Sequence, residues 1–487
     1  MKVGIVGGGV SALSAVRSLR NKGISCVAFE KGNDIGGLWK ANYLGSGLQV
    51  PKEFYEFPDF RFSNDYSNKS IPPREAVQKY IVDFAEKFNL KDHVKLNSEV
   101  TNIKQLPTKE WEVTVNGKDK QVFQHLIIAT GLYSSSVNLP KLKGKDAFES
   151  TGGKVLHSSE FLDGNLVQNK DVLIVGGGKS AVDITLAVKD LGAKSSTNLF
   201  REAHWMTPIK IMGLIPFEYI FLSRFGVSLV SLYQGFWPDN KKQLSIKAKS
   251  MMKPVFKLVE KIFQMQYGLK GDRKPATDVV EDVFNVAQFV GPELRRRVEA
   301  KDVVLRRGEI DHLESSRKVV LKDGAEMESD VIICATGFSK SYSIFDSNSL
   351  ILKDLDVQPD GLYLYRHIIS PKVPNLYFCG SEAACVFNVT SYALQAEWIS
   401  RVIEGTVKLP STQEMEESIQ RTKEWKRSWI PDSRYRASMV ILYHTNYHDA
   451  LLEDMKVNPR RKTNFFSEFF APYRSRDYDG IIASSSS

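Results

Sequence analysis

The chain has 487 residues, enough for two or more domains with cores of their own. Hydrophobic residues make up 42% and charged residues 25%, ordinary globular values that exclude disordered and collagen-like classes. The net charge of +9 suits polyphosphate ligands or an anionic membrane surface, and without a nucleic-acid motif beside it no nucleic-acid partner is expected.

In chain order, an apolar run at Lys2–Val6 predicts a strand, followed by the glycine finger Gly7-Gly8-Gly9-Val10-Ser11-Ala12 and a helix over Val10–Asn21. A second strand, Ile24–Glu30, delivers Glu30 about twenty residues past the finger, where a carboxylate accepts hydrogen bonds from a ribose. Periodicity predicts a helix over Pro72–Phe88, then strands at Val94–Ile103, Trp111–Val115 and Val122–Ala129. The last of these runs into Ala129-Thr130-Gly131.

A second finger of the same design, Gly176-Gly177-Gly178-Lys179-Ser180-Ala181, follows the apolar run Val172-Leu173-Ile174-Val175. It opens a helix over Lys179–Leu191, with a strand at Thr197–Phe200 and Arg201 at its end in place of an acid. A cation there suits a 2′-phosphate, so NADPH is expected over NADH. The strand Val331–Ala335 leads into a second turn, Ala335-Thr336-Gly337. The run from Pro374 to Cys379 then ends at Gly380, another place for backbone amides to meet flavin phosphate or ribityl oxygens.

One finger is a weak signal; two in strand-to-helix context point to two dinucleotides, a flavin and a nicotinamide. The expected architecture is α/β, with two Rossmann-like folds. Residues 1–164 and 323–487 form the FAD-binding part, and 165–322 the NADPH-binding part, with a helical insert at 209–295. Within that insert, Ile209–Trp237 is strongly apolar, and Lys241, Lys242, Lys247, Lys249, Lys253, Lys257 and Lys261 follow it. Glu218, Arg224, Pro216 and Gly226 break the run, so it is expected to wall a substrate tunnel or to lie on a membrane, not to span one. Arg460-Arg461-Lys462 and the tail Ser484–Ser487 read as solvated.

The four cysteines, Cys26, Cys334, Cys379 and Cys385, include no C-x-x-C pair, which argues against a disulfide reductase and a zinc site. They read as small buried residues, and no metal is expected. Sparse cysteine suggests a reducing compartment. With a first strand already at Lys2, the reading is cytoplasmic, with peripheral docking on the endoplasmic reticulum membrane as its variant.

Taken together these pieces resemble the flavin-containing monooxygenases of the class with two nucleotide-binding folds, over nearly the whole chain. The markers are the two fingers, Gly36-Gly37-Leu38-Trp39, Lys52-Glu53, and Phe57-Pro58-Asp59-Phe60. Arg201 with Trp205, Ala335-Thr336-Gly337-Phe338 and Tyr365-Arg366-His367 add to them. The family fingerprint is met at Gly153, His157 and Phe161, with Thr151 in place of its opening Phe. Leu48-Gln49 stands where many members carry Thr-Asn, which resembles the plant-type branch and transfers the Asn role at the flavin–nicotinamide junction to Gln49.

The resemblance implies FAD and NADPH as cofactors and O2 as co-substrate. A flavin C4a-hydroperoxide would oxygenate a small-molecule amine or thioether. FAD would be held by Gly7, Gly9, Val10, Ser11, Ala12, Glu30, Gly37, Leu38, Trp39, Gln49, Thr130, Gly131 and Gly380. NADPH would be held by Gly176, Gly178, Lys179, Ser180, Ala181, Arg201, Thr336 and Gly337. Gln49 is the one catalytic candidate, and His157 reads as a structural contact more than a base. An NADPH oxidase releasing H2O2, a Baeyer–Villiger enzyme and a nucleotide-binding scaffold remain alternatives, and the oligomeric state, a dimer included, stays open.

Overall fold

The computed structural model describes residues 1–133, 136–234, 238, 247–285, 288–346 and 350–482. Two five-stranded parallel sheets carry the molecule. The first runs Leu376–Phe378, His125–Ile128, Lys2–Val6, Ser25–Phe29, Val94–Lys95. The second runs Lys154–His157, Val331–Cys334, Asp171–Val175, Ser195–Phe200, Val304–Arg307. In both sheets the strand before the finger lies at the centre, so its C-terminal end opens where the strand order switches, the place where doubly wound sheets take ligands.

The two folds match beyond their sheets. In each, a three-stranded antiparallel meander separates an edge strand from the strand that precedes the Ala-Thr-Gly turn. One meander is Val100–Gln105, Trp111–Val115 and Asp119–Phe123; the other is Ile310–Leu313, Lys318–Leu321 and Glu326–Glu328. The exception is the fifth strand. Leu376–Phe378 comes last in the first fold, whereas Lys154–His157 precedes the second finger. The second sheet therefore draws strands from both sides of residues 165–322.

Two expected strands are each split. Val94–Lys95 closes the first parallel sheet and Val100–Gln105 opens the meander, parted by Asn97 in a left-handed conformation with φ 50°. Likewise Asp119–Phe123 ends the meander, and the chain turns at Gln124 before His125–Ile128 enters the parallel sheet. Continuous apolar patterning conceals such breaks, because both strands bury side chains in one core. The remaining elements fall within two residues of expectation: Val10–Asn21, Ser25–Phe29, Arg74–Lys87, Lys179–Asp190, Ser195–Phe200 and Val331–Cys334.

The first finger helix is buried on nearly every side because Asn388–Glu404, itself largely buried, packs along it. Its one charge on this buried surface, Arg17, is matched by Asp59 at 3.1 Å, the Pro58 carbonyl at 2.8 Å and the Phe88 ring face. The four cysteines are free and buried, as expected.

The insert is mainly helical, with Arg224–Gln234, Lys247–Tyr267 and Val279–Asn285, and a two-stranded ribbon at Lys210–Ile211 and Ile215–Pro216. Buried Arg224 ties it to the C-terminal segment, donating to both Asp449 oxygens, to Glu468 at 2.6 Å and to Tyr473. Removing either side of such a network leaves a desolvated charge. Residues 235–237, 241–242 and 484–487, named above in the apolar run, the lysine stretch and the tail, lie outside the described residues. Among the described residues no helix is long and apolar enough to cross a membrane.

Candidate active site

At the first finger, Gly7 adopts φ 118°, and a Cβ there would lie 2.5 Å from the Ala129 carbonyl oxygen. Only glycine fits. Its N–H is held by the Phe29 carbonyl at 2.8 Å, which seats the turn at the end of the neighbouring strand. One residue on, Glu30 wraps the finger: its Oε2 accepts the Gly8 N–H at 2.7 Å and its Oε1 accepts the Gly32 N–H at 2.7 Å. Each oxygen keeps a further lone pair for a hydroxyl group.

Other elements converge on this turn. The Gly36 N–H donates to the Gly8 carbonyl at 3.0 Å, and a Cβ on Gly37 would sit 3.1 Å from the Gly9 Cα, so two backbones touch. Leu38 is exposed, while the Trp39 indole donates to the Tyr55 hydroxyl at 2.6 Å. The Ser11 hydroxyl donates to the Ala129 carbonyl at 3.3 Å, which fixes the turn leading to half-buried Thr130 and Gly131. Gly380 rests against Ser11 and donates its N–H to Gln395 Oε1 at 2.8 Å. Val10 and Ala12 face the core, so the finger helix can offer a ligand only its backbone amides there. No side chain caps that helix, and its first-turn N–H groups are left for an anion.

The second finger repeats this design. Gly176 has φ 150°, a Cβ there would strike the Ala335 carbonyl, and its N–H is held by Leu199 at 2.9 Å. The helix after Gly178 again lacks a side-chain cap, and a Cβ on Gly178 would meet nothing within 4 Å. Ala181 is buried. The Lys179 ammonium pairs with Asp183, which also accepts from the Tyr43 hydroxyl at 3.1 Å. Tyr43 meets Ser180 as well. These contacts tie the finger helix to the loop before Gln49 instead of presenting the lysine to a phosphate.

The matched contacts of Gly7 and Gly176 also set the register. Phe29 and Leu199 are equivalent, so Phe200 holds the place of Glu30, and Arg201 lies one residue further than the sequence suggested. Arg201 is exposed, and its carbonyl accepts from Arg307 Nε at 3.0 Å. Thr336 donates to the Asn138 carbonyl. The Gly337 carbonyl accepts from His157 Nε2 at 3.0 Å, and His157 Nδ1 is occupied by Ser159. With both ring nitrogens engaged and its pKa lowered by burial, His157 clips the second Ala-Thr-Gly turn.

Gln49 lies on the loop between buried Leu48 and Val50, exposed and without a side-chain partner among the described residues. Lys52 is structural, its ammonium bound by Asn64 and the Ser67 carbonyl. Several site residues carried no sequence signal. The amide of Gln288 holds the Gly177 carbonyl, and His204, Glu202 and Arg273 line the cleft beside it. Glu382, two residues past Gly380, is a buried carboxyl raised by desolvation, with Lys340 at 2.6 Å and Tyr342 at 3.1 Å.

The comparisons agree with this geometry. The model of the family described as "FMO-like: Flavin-binding monooxygenase-like" matches residues 1–470. The chain is 28% identical to "Probable flavin-containing monooxygenase 1" of Arabidopsis thaliana, covering 98% of this chain and 96% of that protein. It is 27% identical to "Flavin-containing monooxygenase 3" of Homo sapiens, over 91% of this chain and 81% of that one. Among solved structures, a cyclohexanone-bound cyclohexanone monooxygenase superposes with TM-score 0.71 at 18% identity, over 93% and 96% of the two chains. S-allyl-L-cysteine S-oxygenase from Allium sativum superposes with TM-score 0.61 at 19% identity, over 94% and 89%. At these identities the structural likenesses speak for the fold. The chain belongs to the flavin-binding monooxygenase-like family and is a flavin monooxygenase that uses NADPH.

Proposed function

We propose that FAD lies across the first finger and NADPH across the second, and that the oxygen acceptor is a soft nucleophile, a small-molecule amine or thioether. When bound, the flavin supplies the oxygen chemistry: reduced by NADPH, it activates O2 and passes one oxygen atom on. The observation that carries this reading is the duplicated cradle, two uncapped helix N-termini each set against an Ala-Thr-Gly turn. Glu30 would receive the ribose hydroxyls of FAD, and Gly380, whose own N–H is held by Gln395, would let the backbone pass close to the same cofactor. Arg201 is the candidate for the 2′-phosphate.

Residues 1–164 and 323–487 would form the flavin unit and 165–322 the NADPH unit, with 209–295 walling the route to the flavin. Gln49 is free to reach toward the junction of the two cofactors. There its amide would orient the nicotinamide and help to keep water out. The pair Leu48-Gln49 supports placement beside the plant-type branch.

Peripheral docking on a membrane face of the endoplasmic reticulum, with the enzyme otherwise cytoplasmic, is supported by a surface the sequence did not reveal. The ribbon tip carries exposed Met212, Leu214 and Ile215, and exposed Phe465 and Phe466 project from the C-terminal segment. The helix Arg224–Gln234, which follows the ribbon, packs on the C-terminal segment where Phe225 meets Phe470 at 5.3 Å. Other residues of the apolar run, Phe217, Leu222, Val227 and Val230, are buried and serve the protein interior.

A screen of amines, amino acids and thioethers under air, with NADPH consumption and product measured together, tests the substrate reading. Stoichiometric N- or S-oxide is expected. NADPH consumption matched only by H2O2 across the screen would replace it with the oxidase reading, and lactone formation from cyclic ketones with the Baeyer–Villiger one.

A further inference from the structure

The residue that faces the middle glycine differs between the two folds. At Gly8 it is the Glu30 side chain, whose atoms come within 2.6–2.9 Å of where a Cβ would stand. At the equivalent Gly177 the Glu202 carbonyl oxygen lies 3.1 Å from that point, and the side chain there is the His204 imidazole, with Cδ2 at 3.2 Å and Nε2 at 3.5 Å. The place where the first fold keeps an acid for ribose hydroxyls is thus taken in the second by an imidazole.

The helical insert controls that imidazole. His204 Nδ1 lies 2.8 Å from Asp282 Oδ1, in the helix Val279–Asn285, and Asp282 Oδ2 accepts the Trp205 N–H at 2.6 Å. Asp282 is 3% exposed, so its charge acts on His204 through little water. The carboxylate binds one ring nitrogen and leaves Nε2 turned toward the finger. Arg273, from the single turn Gly271–Arg273 of the same insert, lines the same cleft. Among the described residues its guanidinium has no ion pair or side-chain hydrogen bond. Glu202 also lines this cleft.

We propose that His204, positioned by Asp282, and Arg273 form an anion clamp for the 2′-phosphate of the nicotinamide coenzyme, so that the insert carries coenzyme selectivity as well as walling the site. This rests on the reading that NADPH occupies the second finger. Arg201, exposed at the strand end, then serves as an outer cation, while the two insert-controlled groups grip the phosphate beside Gly177. A phosphate suits this trio chemically: it accepts from guanidinium forks and from an imidazole N–H at once. A ribose 2′-hydroxyl has no charge to answer the guanidinium.

The test is calorimetric binding of NADP+ and NAD+ to the flavin-loaded oxidised protein, wild type and four variants, with no turnover involved. His204→Gln and Arg273→Ala should each weaken NADP+ by roughly tenfold, the size of one lost charge-assisted bond. NAD+ affinity and flavin content should stay unchanged. Asp282→Asn should weaken NADP+ in the same direction, and Arg273→Lys should restore part of the loss seen with alanine. If the wild type prefers NADP+ and both variants keep that preference, the clamp is wrong and the coenzyme assignment stands. If the wild type binds the two coenzymes alike, the assignment falls and the clamp with it. Equal losses for NADP+ and NAD+ would make His204 and Arg273 supports of the fold, which also overturns the proposal.

Discussion

The two nucleotide folds of this chain share a skeleton and differ at the residues that decide what they hold. Strand order, meander, finger and Ala-Thr-Gly turn recur in both. At the register where the first fold places Glu30, the second has Phe200, followed by Arg201, and the Glu30 carboxylate has its counterpart in the His204 ring. Backbone geometry gives both the same cradle; on the proposed reading, two or three side chains suit one of them to ribose hydroxyls and the other to a phosphate. The lesson is that the fold-defining glycines and the selectivity-defining side chains can be broken separately.

The largest effect should come from attacking the skeleton. Gly7→Val puts a side chain against the Ala129 carbonyl at a φ that L-residues avoid, a strain of about 1–3 kcal/mol before the clash is counted. Colourless or insoluble protein is expected, judged by the flavin-to-protein absorbance ratio. Gly176→Val makes the same injury in the second fold and should cost coenzyme binding while flavin is retained. Flavin loss in both variants alike would mean that the folds are not independent cradles.

Next in size is selectivity. Arg201→Ala removes a charge-assisted contact of about 1.5–3 kcal/mol, so kcat/KM for NADPH should fall roughly ten- to a hundredfold with NADH barely altered. Parallel losses would assign Arg201 to stability.

A smaller effect separates the folds by their response to acid. The helices backing the first fold bury His444 and His448, and burial lowers both, His448 to about 3. A histidine that stays neutral when folded contributes stability above its unfolded pKa, near 6.5, and loses it as pH falls toward the folded value. Between pH 7.5 and 5.5 one such residue accounts for about 1.4 kcal/mol. His448→Gln should therefore flatten the pH dependence of urea-unfolding stability by about that amount; an unchanged slope would show that His448 titrates normally. The mildest expected change is Gln49→Ala, which should raise H2O2 released per NADPH consumed without slowing flavin reduction. An unaltered product-to-peroxide ratio would take Gln49 out of the mechanism.

Both fingers, their helices and the position of Glu30 were legible in the sequence because each depends on contacts within one βαβ unit. The register of Arg201 was not, since a one-residue offset shows only when Gly176 is seen paired with Leu199. His204 and Arg273 were hidden for a related reason: the cleft is built by packing the insert onto the second sheet across long stretches of chain, 78 residues between His204 and Asp282. At Lys179 the side chain and the backbone part company: a carboxylate one helical turn away holds its ammonium, so what the finger can offer there is the backbone N–H. The apolar run at 209–237 gave no means of dividing buried Leu222 from exposed Leu214, because both sit in the same hydrophobic pattern.

The central claim, a flavin in one fold reduced by a coenzyme in the other, is tested most directly by anaerobic titration. Purified yellow protein is mixed with NADPH or NADH in the absence of oxygen, and flavin absorbance is followed. Bleaching by NADPH is expected at concentrations about tenfold or more below those needed with NADH, the counterpart of one charge-assisted phosphate contact. Flavin that stays oxidised with both coenzymes, or that responds to both at the same concentration, would contradict the claim.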